Sequence, residues 1–196
     1  ISLMWANNET GVVTDIKAIT TMASRFGIPV HTDAVAAFGH LPTSFKDSGL
    51  AAMSISAHKL GGPVGIGALI VSRATKLVSI IHGGGQERGM RSGTMNAPAA
   101  KAFALAAKVA IETLDAERAR LAVIKQKLVE QAKTINASLS QTAQKADTLP
   151  NIVHFTLAGG SGDSLLFLLD QEGISVSTGS ACQAGVNRPS HVLIAM

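Results

Sequence analysis

A single cysteine, Cys182, stands among the 196 residues, tyrosine is absent, and aromatics make up only 4% of the chain. One thiol excludes an intramolecular disulfide framework and favours a reducing compartment, so the expected location is cytoplasmic. No apolar stretch reaches the ~18–20 residues needed to span a bilayer, and no signal peptide is visible. Basic residues exceed acidic ones by 17 to 13, but they are dispersed. No Arg/Lys run interleaves with aromatics, which argues against nucleic-acid binding. No His or Cys spacing suits a zinc site.

What remains is a chain that is 46% hydrophobic with nineteen glycines, the make-up of a globular α/β protein rich in tight turns. It opens on "ISLMWA", which reads as a buried strand, and closes on "SHVLIAM", which reads as an unfinished amphipathic helix. Natural domains rarely begin and end inside core elements, so a piece of a longer protein is expected.

Between those ends, strands alternate with helices. Thr14 is placed to cap a helix whose apolar positions Ile16, Ile19, Ala23 and Phe26 follow helical spacing, with Gly27 at its end. "IPVHTDA", "LAAMSISA" and "IGALIVS" read as further strands. The alternation predicts an α/β fold with a doubly wound, mostly parallel sheet. A long helix is predicted from Ala97 to about Leu139, opened by Asn96 and Pro98 and striped by Leu114, Leu121, Leu128 and Ile135. Past "TLPNIVHFTL" the pattern changes to strand, glycine turn, the helix "GDSLLFLLDQEG", a short strand and a serine/glycine loop. A domain boundary inside the long helix divides the chain into residues 1–112 and 113–196.

The candidate chemistry begins at "SISAHKLGGPVGIG", where an apolar run ends in Lys59 and dissolves into glycines. A strand-end lysine reaching solvent is the ordinary reading. The alternative is an amine that attacks a carbonyl, which needs a setting that favours loss of its proton. Ser56 and His58, just before it, are suited to hydrogen-bond a phosphate. "PVHTDA" ends another predicted strand in Asp33, at the edge where open α/β sheets bind ligands. By itself an aspartate there is equally a helix cap. An aspartate and a lysine on separate strand ends are a pair that pyridoxal phosphate chemistry requires, the carboxylate holding the ring nitrogen protonated. Cys182 lies in "STGSACQAG", whose small, polar, glycine-rich composition suits an exposed loop able to carry a thiolate. His31 and His82 adjoin these motifs, whereas His40, His154 and His191 have no evident role.

"NNETGV", "HTDA", "SAHK", "GGGQERGMRSGT" and "STGSAC" occur in the order seen in cysteine desulfurases of the NifS/IscS type. The sequence resembles this group of class-V aminotransferase-like, fold-type I pyridoxal phosphate enzymes over nearly its whole length. The resemblance implies the later part of the cofactor-binding large domain in residues 1–112. It implies part of a small α+β domain in residues 113–196. By the resemblance, Lys59 binds the cofactor as a Schiff base and moves the substrate Cα proton, and Asp33 pairs with the ring nitrogen. Asn8 corresponds to the asparagine at the phenolic oxygen, Ser56 and His58 to phosphate ligands, and Thr94 to a phosphate ligand contributed across a homodimer. Cys182 corresponds to the cysteine that takes sulfur from L-cysteine as a persulfide, releasing alanine. The sulfur then passes to an acceptor or iron–sulfur scaffold protein for cluster, thiocofactor or tRNA-thiolation pathways. A transient role for Cys182 as an iron–sulfur ligand is also implied.

The sequence departs from that pattern at Ala36, where the family usually has glutamine, removing one hydrogen bond expected at the phenolic oxygen. A phosphate-binding turn, a ring-stacking histidine and a substrate-carboxylate arginine are not assignable in these residues, so the piece alone is expected to be inactive. Selenocysteine lyase or another class-V lyase is the enzymatic alternative. A catalytically degenerate paralogue serving as a partner-binding subunit is the other, kept open by Ala36.

Overall fold

The structure is a computed structural model, and it describes residues 1–180 and 190–196. The chain separates into two compact units, one of residues 1–6 and 14–117, the other of residues 7–13 and 118–196.

The first unit is built on a four-stranded sheet of β1 (Ser2–Met4), β2 (His31–Asp33), β3 (Ala52–Ser56) and β4 (Gly67–Val71), in that spatial order. The first three strands are parallel, and β4 runs antiparallel to β3. The fold is α/β with a mixed, mostly parallel sheet. Alternation gives the sheet two unlike faces. Thr32, Met53 and Ile55 point to the buried face, while Asp33 pairs with Ser54 on the other, half-covered face. Thr32, fully buried, donates its hydroxyl to the Leu3 carbonyl at 3.1 Å, so its burial leaves no polar atom unpaired.

α1 (Ile16–Ser24) buries Ile16, Thr20 and Ala23. Its cap is Asp15, one residue later than the expected Thr14, because Asp15 Oδ1 reaches the Ala18 N–H at 2.9 Å. Phe26 lies past the helix end and is exposed, so the apolar stripe stops at Ala23. A short α2 (Phe45–Ser48) precedes β3 and ends at left-handed Gly49. Ile16, Val30, Met53, Ile55 and Phe103 belong to one buried cluster, each side chain contributing roughly 1.5–3 kcal/mol by removal from water.

The expected single long helix is two, α3 (Ala97–Glu112) and α4 (Leu114–Ile135). Asn96 and Pro98 open α3 as expected, with Asn96 Oδ1 accepting from the Ala99 N–H. Thr113 interrupts the run: its hydroxyl turns back onto the Val109 carbonyl at 2.8 Å and its backbone leaves the helical region at φ −99°, ψ 0°. Leu139 is not helical but begins β5 (Leu139–Gln141), which pairs antiparallel with β6 (Phe155–Leu157) in the second unit. α5 (Gly162–Gln171) and α6 (His191–Ala195) follow. The short strand expected after α5 is not formed: residues 174–177 are coil, with Ile174 and Val176 exposed, and the β5–β6 ladder does not extend to them.

In that second unit, residues 7–13 are held by residues 147–152. Val13 N–H donates to the Asp147 carbonyl and Leu149 N–H to the Gly11 carbonyl. Gly11 (φ +76°) packs so closely that a Cβ would meet Ile152 Cβ at 3.1 Å. Lys125 of α4 donates to Thr148 Oγ1 and to the Leu149 carbonyl, each at 2.7 Å, and burial pushes its amine below the usual lysine range. Among the described residues no helix is long and apolar enough to cross a membrane.

Candidate active site

The parallel strands bring Asp33 and the Lys59 turn to the same edge of the sheet. Asp33 is the last residue of β2, and its register partner on adjacent β3 is Ser54. Two residues on, Ser56 ends β3, and a 3₁₀ turn of Ala57–Leu60 carries His58 and Lys59 directly beyond the strand. This is the carboxyl edge, where open α/β sheets receive ligands.

Local packing fixes each group. Asp33 Oδ1 accepts the Val35 N–H at 2.9 Å, which anchors the carboxylate at the strand tip. Ser56 Oγ and His58 Nδ1 lie 2.7 Å apart, so these two groups form one unit. His31, two residues before Asp33, bridges three strands: Nδ1 lies 2.8 Å from Ser2 Oγ and Nε2 2.9 Å from Ser54 Oγ. The Lys59 side chain is exposed, while its carbonyl oxygen lies 3.3 Å from His40 Nε2.

Two glycines let α3 press against this turn. A Cβ on Gly62 would lie 3.0 Å from the Ala57 carbonyl oxygen and 3.2 Å from Ala106 Cβ. One on Gly39 (φ +79°) would overlap Leu60 Cδ2 at 2.4 Å and crowd Ala110 at 3.2 Å. Small residues on both sides thus set the height of the lysine turn over the helix.

The other expected residues lie elsewhere. Thr94 is exposed in the coil just ahead of α3. Asn8 belongs to the second unit, where its amide donates to Ser180 Oγ at 3.4 Å. Cys182 lies outside the described residues. Ala36 follows β2 and is half-buried. Two residues of the "NNETG" run escaped the sequence reading. Asn7 builds the turn with its side chain, and Glu9 is buried at 6% exposure. Their sequence signal was only the polar, turn-like character of the run.

The strand-tip donors suit pyridoxal phosphate: an amine, a carboxylate, and a hydroxyl–imidazole pair for a phosphate, on neighbouring elements. Among the described residues no cluster of three His, Cys, Asp or Glu side chains could hold a metal ion.

The class-V aminotransferase profile matches residues 1–196. The chain belongs to that family. Within it, the chain is 48% identical over 197 residues to an IscS-like cysteine desulfurase of Mycobacterium tuberculosis, covering 100% of this chain and 50% of that protein. It is 39% identical over 196 residues to the cysteine desulfurase IscS of Dictyoglomus turgidum, again covering 100% and 50%. A solved structure of a NifS-like protein from Rickettsia africae superposes with TM-score 0.86 at 32% identity, covering 91% of this chain and 49% of that one. This class-V chain therefore spans about half the length of the curated relatives it matches.

Proposed function

We propose that the chain is part of a pyridoxal phosphate-dependent cysteine desulfurase, residues 1–112 belonging to the cofactor domain and 113–196 to a smaller domain. The observation that carries this reading is Asp33 and the Lys59 turn at the carboxyl ends of adjacent parallel strands. The desulfurases among the relatives support the choice of reaction within the family.

Bound pyridoxal phosphate supplies an electron sink for bonds at the substrate Cα. Asp33 holds the ring nitrogen protonated, and Asn8 donates to the phenolic oxygen. Ser56 and His58 bind the phosphate from one subunit, and Thr94 binds it from the partner subunit of a homodimer. Lys59 anchors the cofactor and carries a proton to and from Cα. Cys182 attacks the substrate sulfur: the Cβ–S bond breaks, an S–S bond forms, and a proton replaces sulfur on Cβ. L-Cysteine and the Cys182 thiol thus become L-alanine and a Cys182 persulfide, with no external oxidant or reductant. The persulfide sulfur then passes to an acceptor or iron–sulfur scaffold protein in a reducing, cytoplasmic setting. Cys182 as a transient iron–sulfur ligand belongs to the same reading. On this reading the 196 residues alone do not complete the cycle, which a span of about half the length of these relatives supports.

In the full-length protein, Lys59→Ala is expected to abolish both the visible cofactor absorbance and alanine formation. Cys182→Ala is expected to abolish turnover of cysteine. If Cys182→Ala turns over cysteine at the wild-type rate, the desulfurase reading is wrong and a class-V lyase takes its place. If it spares selenocysteine alone, selenocysteine lyase activity accompanies the desulfurase. Ala36 favours one further reading, a degenerate partner-binding subunit, and wild-type protein that forms no visible cofactor band would establish it.

A further inference from the structure

His31 makes a pair of side-chain bonds to which no step of the proposed chemistry gives a task. It lies two residues before Asp33 on β2, so both side chains leave the same, half-covered face of the sheet. Both ring nitrogens are engaged, Nδ1 at 2.8 Å from Ser2 Oγ on β1 and Nε2 at 2.9 Å from Ser54 Oγ on β3. A histidine serving only as polar cover would leave a nitrogen to water.

The direction of the second bond carries the argument. In the parallel ladder His31 stands opposite Ala52, and Ser54 stands opposite Asp33. The ring therefore reaches diagonally toward the carboxyl edge and lands on the register partner of the carboxylate. A diagonal link changes length as soon as one strand slides along the other, so it opposes sliding.

Sliding is the displacement that would separate the two candidate cofactor anchors. β2 ends in Asp33, whereas β3 continues past Ser54 to Ser56 and into the turn that carries His58 and Lys59. Each residue of slip moves one tip about 3.3 Å against the other. β2 is only three residues long, and parallel pairing is the weaker kind per residue. Near the tip, Trp5 N–H donates to the Asp33 carbonyl at 2.8 Å and Ala34 N–H to the Ser54 carbonyl at 2.9 Å. On the opposite face Thr32 braces β2 toward β1 alone, through the Leu3 carbonyl. Among the described residues, His31 to Ser54 is the side-chain hydrogen bond that joins β2 to β3.

We propose that His31 is a positioning residue: by bracing β2 against β3 through Ser54, it sets the height of Asp33 relative to the Lys59 turn. Its consequence for catalysis rests on the desulfurase reading, but the brace itself can be read without the cofactor.

The test uses the full-length protein and its His31→Ala, His31→Gln, His31→Asn, Ser54→Ala and Ser2→Ala variants. A glutamine amide stands roughly where Nε2 stands, and an asparagine amide where Nδ1 stands. His31→Gln therefore keeps the reach to Ser54, and His31→Asn keeps only the reach to Ser2. Hydrogen–deuterium exchange of the peptide covering residues 31–36 is expected to quicken about fivefold in His31→Ala, His31→Asn and Ser54→Ala, the size of one lost hydrogen bond. His31→Gln and Ser2→Ala are expected to stay near wild type. In the holoenzyme, kcat for alanine formation is expected to fall about tenfold in the same three variants, with a shifted visible cofactor band, while KM for cysteine holds. His31→Ala combined with Ser54→Ala is expected to be no worse than either alone, because both remove one link. Unchanged exchange in Ser54→Ala overturns the proposal, and so does quickened exchange with kcat and band unchanged. Equal losses in Ser2→Ala and Ser54→Ala, the mark of a general packing role, overturn it as well. If His31→Ala does not fold, Ser54→Ala and the glutamine–asparagine pair decide. Quickened exchange in a protein whose wild type forms no cofactor band leaves the brace standing and removes the desulfurase reading instead.

Discussion

His154 lies 2.6 Å from Thr142 Oγ1 through Nδ1, and its partial burial pushes the imidazole below its ordinary value of 6.5 while the charge of Glu9 acts in the opposite sense. The unfolded chain therefore binds the proton more readily than the folded one between the lowered value and 6.5, and stability rises with pH across that window. Chemical denaturation of the full-length protein at stepped pH is expected to show stability falling as pH drops below 6.5. A His154→Gln variant, which cannot titrate, is expected to lose that component of the slope; an unchanged slope refutes the assignment. In sequence, His154 carried no signal, because nothing about a lone histidine reveals whether folding covers it. Glu9 escaped for the same reason: an acid in a polar turn looks solvated until the turn is folded. Asp33 and Lys59 were legible because an apolar run that ends abruptly in a charge marks a strand tip, and strand tips in parallel sheets gather on one edge.

Among the elements, β1 to β4 and α1 followed directly from the apolar pattern, whereas β5 and the break at Thr113 did not. A threonine is an unremarkable helix residue, and only its hydroxyl turning onto the Val109 carbonyl distinguishes it here. The leucine stripe also misled. The covered positions of α4 run through Leu121, Lys125, Val129 and Ala132, while Leu128 and Ile135 are exposed, since a straight helix drifts away from a seven-residue repeat. The lysine turn depends on how closely α3 lies against it, and Gly62 sets that approach. Gly62→Ala forces a methyl group against a backbone carbonyl that cannot swing aside, and is expected to cost about 1–3 kcal/mol. The measurements are thermal unfolding and cofactor absorbance of the full-length variant, both expected to decline. Gly61→Ala is not a useful control, because φ is +75° there and the substitution is strained even in open space.

For the molecule as a whole, the described residues expose many large apolar side chains. Much of the exposed apolar surface is carried by large side chains: Val64, Val78, Ile80 and Phe26 are each more than 70% exposed. Apolar surface on this scale attracts whatever covers it. The isolated 196-residue chain is accordingly expected to bind a hydrophobic dye and to self-associate in sedimentation, and the full-length protein to do much less of either. Equal dye binding by both would refute this. The antiparallel β4 has a different consequence. A parallel neighbour for β3 would have needed a distant crossover, but here the chain turns at residues 57–66 and pairs at once with the strand it has just left. Lys59 therefore sits in a hairpin whose closure spans little chain, and contacts of short sequence separation form fast. Its scaffold has the character of an early folding event, assembled before most of the protein that would use it.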